Sequence, residues 1–151
     1  GVEAVIRHAG QAGMRLAIAT TTSLPNVESL LAATLGAEGV RRFEVIAAGD
    51  QVKRKKPAPD VFVLARERLG LAPERCLALE DSVNGLQSAR AAGLATVITR
   101  SAYTNGQDFT GALAVVDTLS ELAGAAAGTA AEGAAILSAL EYAAEKKPPT
   151  T

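Results

Sequence analysis

The sequence predicts an α/β fold in which a mainly parallel sheet carries helices on both faces, giving three layers. Short apolar runs alternate with helical patterns of about ten residues, and this alternation is typical of βαβ units. Polar residues follow directly after several of the apolar runs, and in a parallel sheet such strand ends meet at one edge. The predicted strands are 16–19, 43–48, 76–79, 95–99 and 113–116.

The predicted helices end at glycines, as helices often do when the next residue adopts a left-handed backbone. They are 1–12 before Gly13, 25–35 before Gly36, 60–69 before Gly70, and a helix that runs to Gly93. The strand at 76–79 is apolar until it meets two carboxylates, so we expect it to be buried on both faces.

Composition and charge narrow the classes of function. The 151 residues are 48% hydrophobic and 21% charged, which predicts one domain with a substantial core. A formal net charge of −1 gives no global field that favours nucleic acid or an anionic membrane, and no run approaches the roughly 18 apolar residues of a membrane span. The single cysteine, Cys76, excludes an internal disulfide, and its apolar setting predicts a structural thiol. We therefore expect a cytoplasmic protein with no nucleic-acid or membrane partner.

Two adjacent carboxylates, Glu80 and Asp81, end the central apolar run. Two negative charges side by side repel each other unless a cation or hydrogen-bond donors offset them. Mg²⁺ suits the position because it binds one or two carboxylates together with phosphate oxygens and water. The alternative interpretation is that Asp81 or Ser82 simply caps the helix that follows.

Four hydroxyl residues, Thr20, Thr21, Thr22 and Ser23, follow the first strand. Their side chains, together with the free N–H groups at the start of a helix, form a natural cradle for phosphate. An ordinary Ser/Thr-rich helix cap is the alternative.

A basic run at 53–56 leads into Pro57 and Pro59. Such runs can indicate nucleic-acid binding or nuclear targeting, but no aromatic residues interleave with this one and the whole chain is slightly acidic. We expect the first three basic side chains to be solvated. Lys56 differs because the prolines after it stiffen the loop and restrict where its ammonium group lies.

Hydroxyls, a fixed lysine and paired carboxylates therefore follow successive strands. Groups that bind phosphoryl oxygens, a cation that neutralises charge and carboxylates that hold Mg²⁺ are the parts that phosphoryl transfer needs. Each motif alone is weak evidence, and their order along the chain makes the set specific.

At these residues the sequence resembles the haloacid dehalogenase superfamily of phosphohydrolases, in the branch of CbbY proteins, phosphoglycolate phosphatases and β-phosphoglucomutases. The resemblance is carried by Ala17-Ile18-Ala19-Thr20-Thr21-Thr22-Ser23, by Lys56-Pro57-Ala58-Pro59-Asp60, and by Leu79-Glu80-Asp81-Ser82 with Gly85 and Ala92-Gly93. It covers about residues 1–122, and we expect 123–151 to form an Ala/Gly-rich linker with a helical tail at 132–146. The resemblance implies a Rossmann-like core and a CbbY-like, Mg²⁺-dependent phosphatase of sugar bisphosphates that acts through an aspartyl-phosphate.

The resemblance also implies catalytic roles for Thr20 and Lys56. Thr20 would bind the transferring phosphoryl group, and Thr21 would contribute a backbone donor. Lys56 would neutralise the phosphoryl oxygens and steady the nucleophile.

For the metal, the resemblance implies that Asp81 ligates Mg²⁺ and that Glu80 does so directly or through water. The residues expected to shape the turn beneath the metal are Ser82, Asn84 and Gly85.

The family's nucleophile has no counterpart here. It belongs to an Asp-x-Asp motif whose first aspartate attacks phosphorus and whose second is the general acid/base. The aspartates of this chain are Asp50, Asp60, Asp81, Asp108 and Asp117, and no two of them are two residues apart. We therefore expect a partial core without the family's first strand and cap domain, inactive alone, whose partner is the missing N-terminal segment of the same protein.

In the family the missing strand lies between the strands that end before Thr20 and at Glu80. Two apolar strands without their usual partner leave backbone groups unpaired, which is costly. We expect the isolated chain to be marginally stable, to oligomerise, or to close the gap by direct pairing of those strands.

Two other functions remain open at this point. A mutase of the β-phosphoglucomutase kind would share every residue named above. A truncated domain that binds phosphate or metal without catalysis is the other, and the lack of an Asp-x-Asp pair favours it for this chain alone. A dinucleotide site is disfavoured because no Gly-x-Gly-x-x-Gly follows a predicted strand.

Overall fold

The computed structural model describes residues 1–125, and within them strands and helices alternate as the sequence predicts. The helices are α1 (Val2–Gln11), α2 (Leu24–Val40), α3 (Asp60–Leu69), α4 (Val83–Ala91) and α5 (Ser120–Ala125). The strands are β1 (Leu16–Ala19), β2 (Phe43–Ala47), β3 (Leu77–Glu80), β4 (Ala95–Thr99) and β5 (Ala114–Val116). Short 3₁₀ turns occupy Pro73–Arg75 and Ala102–Thr104.

The strands form two parallel sheets. β1 pairs with β2 in one sheet, and β4 lies between β3 and β5 in the other. No ladder joins β1 to β3 within residues 1–125, so the gap is not closed by direct pairing. The predicted α/β class with parallel strands and surrounding helices is confirmed.

Helices cover both faces of the strands. On one face α3 packs on β1 and β2 while α4 packs on β3 and β4. The larger core lies there and consists of Val45, Ala47, Val61, Phe62, Ala65, Leu69, Ala78, Ala89, Ala92 and Leu94. On the opposite face α1 and α5 contact each other, and a smaller cluster groups Val97, Val116 and Leu122. Because the larger core draws on both sheets, burial of apolar side chains joins them where no backbone ladder does.

Glycines mark the helix ends as predicted. Gly70 follows α3 with the left-handed angles φ 63° and ψ 32°. Gly36, with φ 65° and ψ 176°, interrupts α2, but helical turns resume after it and continue to Val40. The first helical segment of α2 therefore ends at residue 35 as predicted, and a second short segment that was not predicted follows Gly36.

The burial predicted for β3 is wrong on one face. Ala78 is 4% exposed, but Leu79 keeps 40% of its surface exposed. β3 is an edge strand, and the described residues place no strand beside it on the side of β1. An edge position leaves a side chain without the neighbour that would cover it.

Cys76 lies one residue before β3 and is partly buried. Burial raises the pKa of its thiol, and the nearby guanidinium groups of Arg66, Arg75 and Arg15 offset that rise only in part. A thiol with a raised pKa is a poor nucleophile at neutral pH, which agrees with a structural role.

Residues 126–151 lie outside the described part of the chain. The tail helix at 132–146 and the domain boundary at residue 122 therefore stay predictions. Within residues 1–125, no helix combines the length and the apolar character needed to cross a membrane.

Gly49 is a position where only glycine fits. It is buried two residues after the end of β2, and its N–H donates to the Thr22 carbonyl oxygen over 2.8 Å. A β-carbon at position 49 would overlap the backbone carbonyl of Thr21, which has no side-chain rotation to relieve the clash. The close approach fixes the loop after β1 against the loop after β2.

We predict that Gly49→Ala lowers the free energy of unfolding by about 1–3 kcal/mol, the usual cost of overpacking. Gly10→Ala is the matched control because Gly10 lies in α1 with open space around its β-carbon position. Alanine is the better helix former, so the control should be neutral or stabilising by up to about 1 kcal/mol. Urea unfolding of the two variants measures the difference, and equal stabilities would contradict the close approach.

Candidate active site at the carboxyl ends of β1 and β3

Lys56 brings three of the predicted motifs together. Its Nζ donates to the carbonyl oxygen of Ala19, the last residue of β1, over 2.9 Å. The same ammonium forms an ion pair with the carboxylate of Glu80, the last residue of β3. The two charged side chains are only 13% and 9% exposed, and the Phe62 ring centroid lies 4.6 Å from Nζ. The lysine therefore sits at the junction between the two sheets.

The loop that carries Lys56 is braced by more than its prolines. The Ser88 hydroxyl, from α4, donates to the Ala58 carbonyl oxygen over 2.6 Å. Arg54 forms an ion pair with Asp60 at 2.8 Å, and its hydrogen bond holds the pKa of Asp60 below the usual range. These contacts hold the loop against α3 and α4, and the Lys56 side chain extends into the site from this loop.

Glu80 fills the space above the first turn of α4. One of its oxygens is engaged by Lys56, and the other end of the carboxylate lies against Gly85. A β-carbon at position 85 would overlap that carboxylate, so glycine leaves room for it. The predicted supporting role of Gly85 has this steric reason.

Ser82 caps α4, and Asp81 does not. The Ser82 hydroxyl accepts from the Gly85 N–H over 3.1 Å. The helix-cap interpretation therefore applies to Ser82. Asp81 is exposed, and its carboxylate has no ion-pair partner in the described chain. Asn84 is exposed on the same turn.

The hydroxyl run forms an open turn between β1 and α2. Thr20 Oγ1 accepts from the Thr22 N–H over 3.2 Å, while the Thr20 N–H donates to the Ala47 carbonyl oxygen over 3.0 Å. Thr21 is exposed, and within residues 1–125 its N–H donates to no protein acceptor. A free N–H beside a hydroxyl in a turn is suited to an anionic oxygen.

Asp50 is a contributor that sequence reasoning missed. Ser23 stands at the N-cap of α2 but makes no side-chain cap bond. Instead both oxygens of Asp50 accept from the Leu24 N–H, at 3.1 and 3.2 Å. The Gly49-Asp50 pair directly after an apolar run was the available indication, since an aspartate at a strand end can reach a neighbouring helix start.

The residues present fit a divalent cation only in part. Glu80 and Asp81 provide carboxylate oxygens, the ligand type that Mg²⁺ prefers. Residues 1–125 contain no cluster of three or more acidic, histidine or cysteine side chains that could hold a metal ion. Any cation here would therefore draw further ligands from water, phosphate or another segment.

Comparison with known proteins agrees with this geometry. CbbY of Cereibacter sphaeroides is 49% identical over 126 residues, which are 83% of this chain and 55% of that protein. CbbY of Rhodobacter capsulatus is 57% identical over 112 residues, 74% of this chain and 49% of that protein. The structure of a CbbY variant from Rhodobacter sphaeroides in complex with xylulose-1,5-bisphosphate superposes with a TM-score of 0.77 at 49% identity, covering 81% of this chain and 54% of that one.

The chain thus spans about half the length of the curated relatives that it matches. Residues 1–93 match the haloacid dehalogenase-like hydrolase family, and that match includes the hydroxyl run, Lys56 and the carboxylate pair. The chain belongs to the haloacid dehalogenase-like hydrolases, as its motifs predict.

Proposed function

We propose that this chain carries the phosphate- and metal-binding half of a Mg²⁺-dependent phosphatase of phosphorylated sugars. The observation that carries the proposal is the position of Lys56, which links the end of β1 to the end of β3. One partly buried cation thereby joins the hydroxyl run and the carboxylate pair into a single site.

Thr20, Thr21 and Lys56 form the phosphoryl-binding part of the proposed site. The Thr20 hydroxyl and the Thr21 N–H, which has no acceptor within residues 1–125, supply donors at the end of β1. The Lys56 ammonium supplies the positive charge that the phosphoryl oxygens need in the transition state. Low exposure of the ammonium strengthens its interactions because little water competes for it.

Asp81 is the proposed direct ligand of Mg²⁺, and Glu80 its water-mediated ligand. Support comes from how the two carboxylates are used: Glu80 is engaged by Lys56, whereas Asp81 is exposed and unpaired within the described residues. When bound, Mg²⁺ neutralises charge on the phosphate and polarises its oxygens. Ser82 and Gly85 keep the two carboxylates on a fixed turn.

The substrate class is proposed from the relatives. CbbY of Rhodobacter sphaeroides was crystallised as a variant with xylulose-1,5-bisphosphate, and other relatives include a fructose-1-phosphate phosphatase of Escherichia coli. Both ligands named there are phosphorylated sugars. A phosphorylated sugar also suits this chain chemically, because its phosphate oxygens can accept from the Thr20 hydroxyl, the Thr21 N–H and the Lys56 ammonium.

Turnover needs an aspartate pair that the 151 residues do not contain. In the proposed reaction an aspartate carboxylate attacks phosphorus, and the bond between phosphorus and the sugar oxygen breaks. The sugar oxygen takes its proton from a second aspartate, and water then hydrolyses the aspartyl-phosphate. Both aspartates would come from a segment equivalent to the half of CbbY that this chain does not match.

We predict that the chain alone releases no phosphate from xylulose-1,5-bisphosphate with Mg²⁺ present. Refolding it together with the unmatched half of Cereibacter sphaeroides CbbY should give Mg²⁺-dependent release of inorganic phosphate. That half incubated alone is the control. Turnover by this chain alone would overturn the proposed division of the site.

In the reassembled enzyme, Lys56→Ala and Asp81→Ala should each lower kcat by at least about 10²-fold, as expected for removal of a group that stabilises transition-state charge. Lys53→Ala is the matched control because Lys53 is an exposed basic residue in the same loop. Its kcat should stay within about twofold of the parent. Near-parent turnover in either site variant would contradict the assigned roles.

A further inference from the structure

The loop between β4 and β5, residues 100–113, lies along α4. At the start of the helix, Gln107 Oε1 accepts from the Val83 N–H over 3.0 Å. Towards its end, Arg90 Nη1 donates to the Thr110 carbonyl oxygen over 3.2 Å. Gly111 also lies against the Arg90 guanidinium. The β4–β5 loop thus holds α4 at both ends.

Hydrogen bonds within the loop hold the backbone around Gln107. A reciprocal capping box links Ser101 and Thr104, and the Gln107 N–H donates to the Thr104 carbonyl oxygen over 3.2 Å. On the other side, Asp108 Oδ1 accepts from the Thr110 N–H and hydroxyl at 2.9 and 2.7 Å. Internally bonded turns on both sides of Gln107 therefore hold the backbone from which its side chain reaches α4.

The N–H that Gln107 satisfies belongs to the turn that carries the carboxylates. Val83 is the first residue of α4 and follows Asp81 by two positions. N–H groups in the first turn of a helix have no acceptor inside the helix. Ser82 takes the Gly85 N–H and Gln107 takes the Val83 N–H, so one local and one distant acceptor fix the turn.

We propose that Gln107 is a positioning residue for the cation site, because it holds the turn that carries Asp81 in place. This inference rests on the proposed function, since it takes Asp81 as a metal ligand. Outer-shell partners of this kind commonly change metal affinity by about 10–100-fold when they are removed. The polar segment around Gln107 gives no sequence indication of the role, because the contact depends on a partner 24 residues away.

Three variants of the 151-residue chain test the proposal. Gln107→Leu removes the acceptor at similar size. Gln107→Glu keeps an acceptor oxygen for the Val83 N–H. Tyr103→Ala is the matched control, since Tyr103 is in the same loop and 96% exposed.

The first measurement needs no metal. Hydrogen exchange of the Val83 amide, followed by NMR, should speed up about 10-fold in Gln107→Leu and stay at the parent rate in Gln107→Glu and Tyr103→Ala. The second measurement titrates Mn²⁺ and follows paramagnetic broadening of the amide signals at 80–85. Gln107→Leu should need about 10-fold more Mn²⁺ for half-maximal broadening, while Tyr103→Ala should match the parent.

Each other outcome counts against a defined claim. Unchanged exchange in Gln107→Leu overturns the positioning role. Faster exchange with Mn²⁺ affinity within twofold of the parent also overturns it, because the contact would then be merely structural. If the parent chain itself shows no broadening at 80–85, the metal assignment under the proposed function fails together with the role of Gln107, whereas broadening in the parent with an unchanged variant overturns the role of Gln107 alone.

Discussion

The contact between Lys56 and its two partners is the interaction on which the rest of the site depends. The ammonium is nearly buried, and so is the Glu80 carboxylate. A buried charge is tolerated only when it is paired and hydrogen-bonded, and here the Ala19 carbonyl oxygen and the Phe62 ring complete the surroundings of the lysine. Removing either charged partner would leave the other uncompensated, which typically costs about 3–5 kcal/mol. The same contact therefore links the proposed phosphoryl-binding site to the junction between the sheets.

The two sheets are joined by different interactions from those that hold each sheet together. Within each sheet, parallel ladders satisfy the backbone in the usual way. Between the sheets, the described residues offer the apolar core under α3 and α4, together with the Lys56 contacts at the strand ends. Apolar packing is not directional, whereas a hydrogen-bonded ion pair is, so the lysine supplies geometric precision that the core alone does not.

Local patterns predicted most of the fold and the order of the motifs. The strands at 16–19 and 95–99 have the predicted bounds, and the hydroxyl run and the carboxylates lie at strand ends as expected. Contacts between residues far apart in the sequence were not predicted. Asp50 and Leu24, at the start of α2, are 26 positions apart, and Gln107 and Val83 are 24 positions apart. The exposure of Leu79 was not predicted for a related reason: the burial of a strand depends on which other strands and helices lie beside it. Periodicity reports only which side of an element is apolar.

The close approach of Gly85 to Glu80 has a consequence for how such sequences can vary. A carboxylate as long as that of Glu80 and any side chain at position 85 compete for one volume. Glutamate could turn aside to admit alanine, but its oxygen would then leave Lys56. Substitutions at positions 80 and 85 are therefore coupled. A larger residue at position 85 requires either a shorter residue at position 80 or a different counter-ion for Lys56.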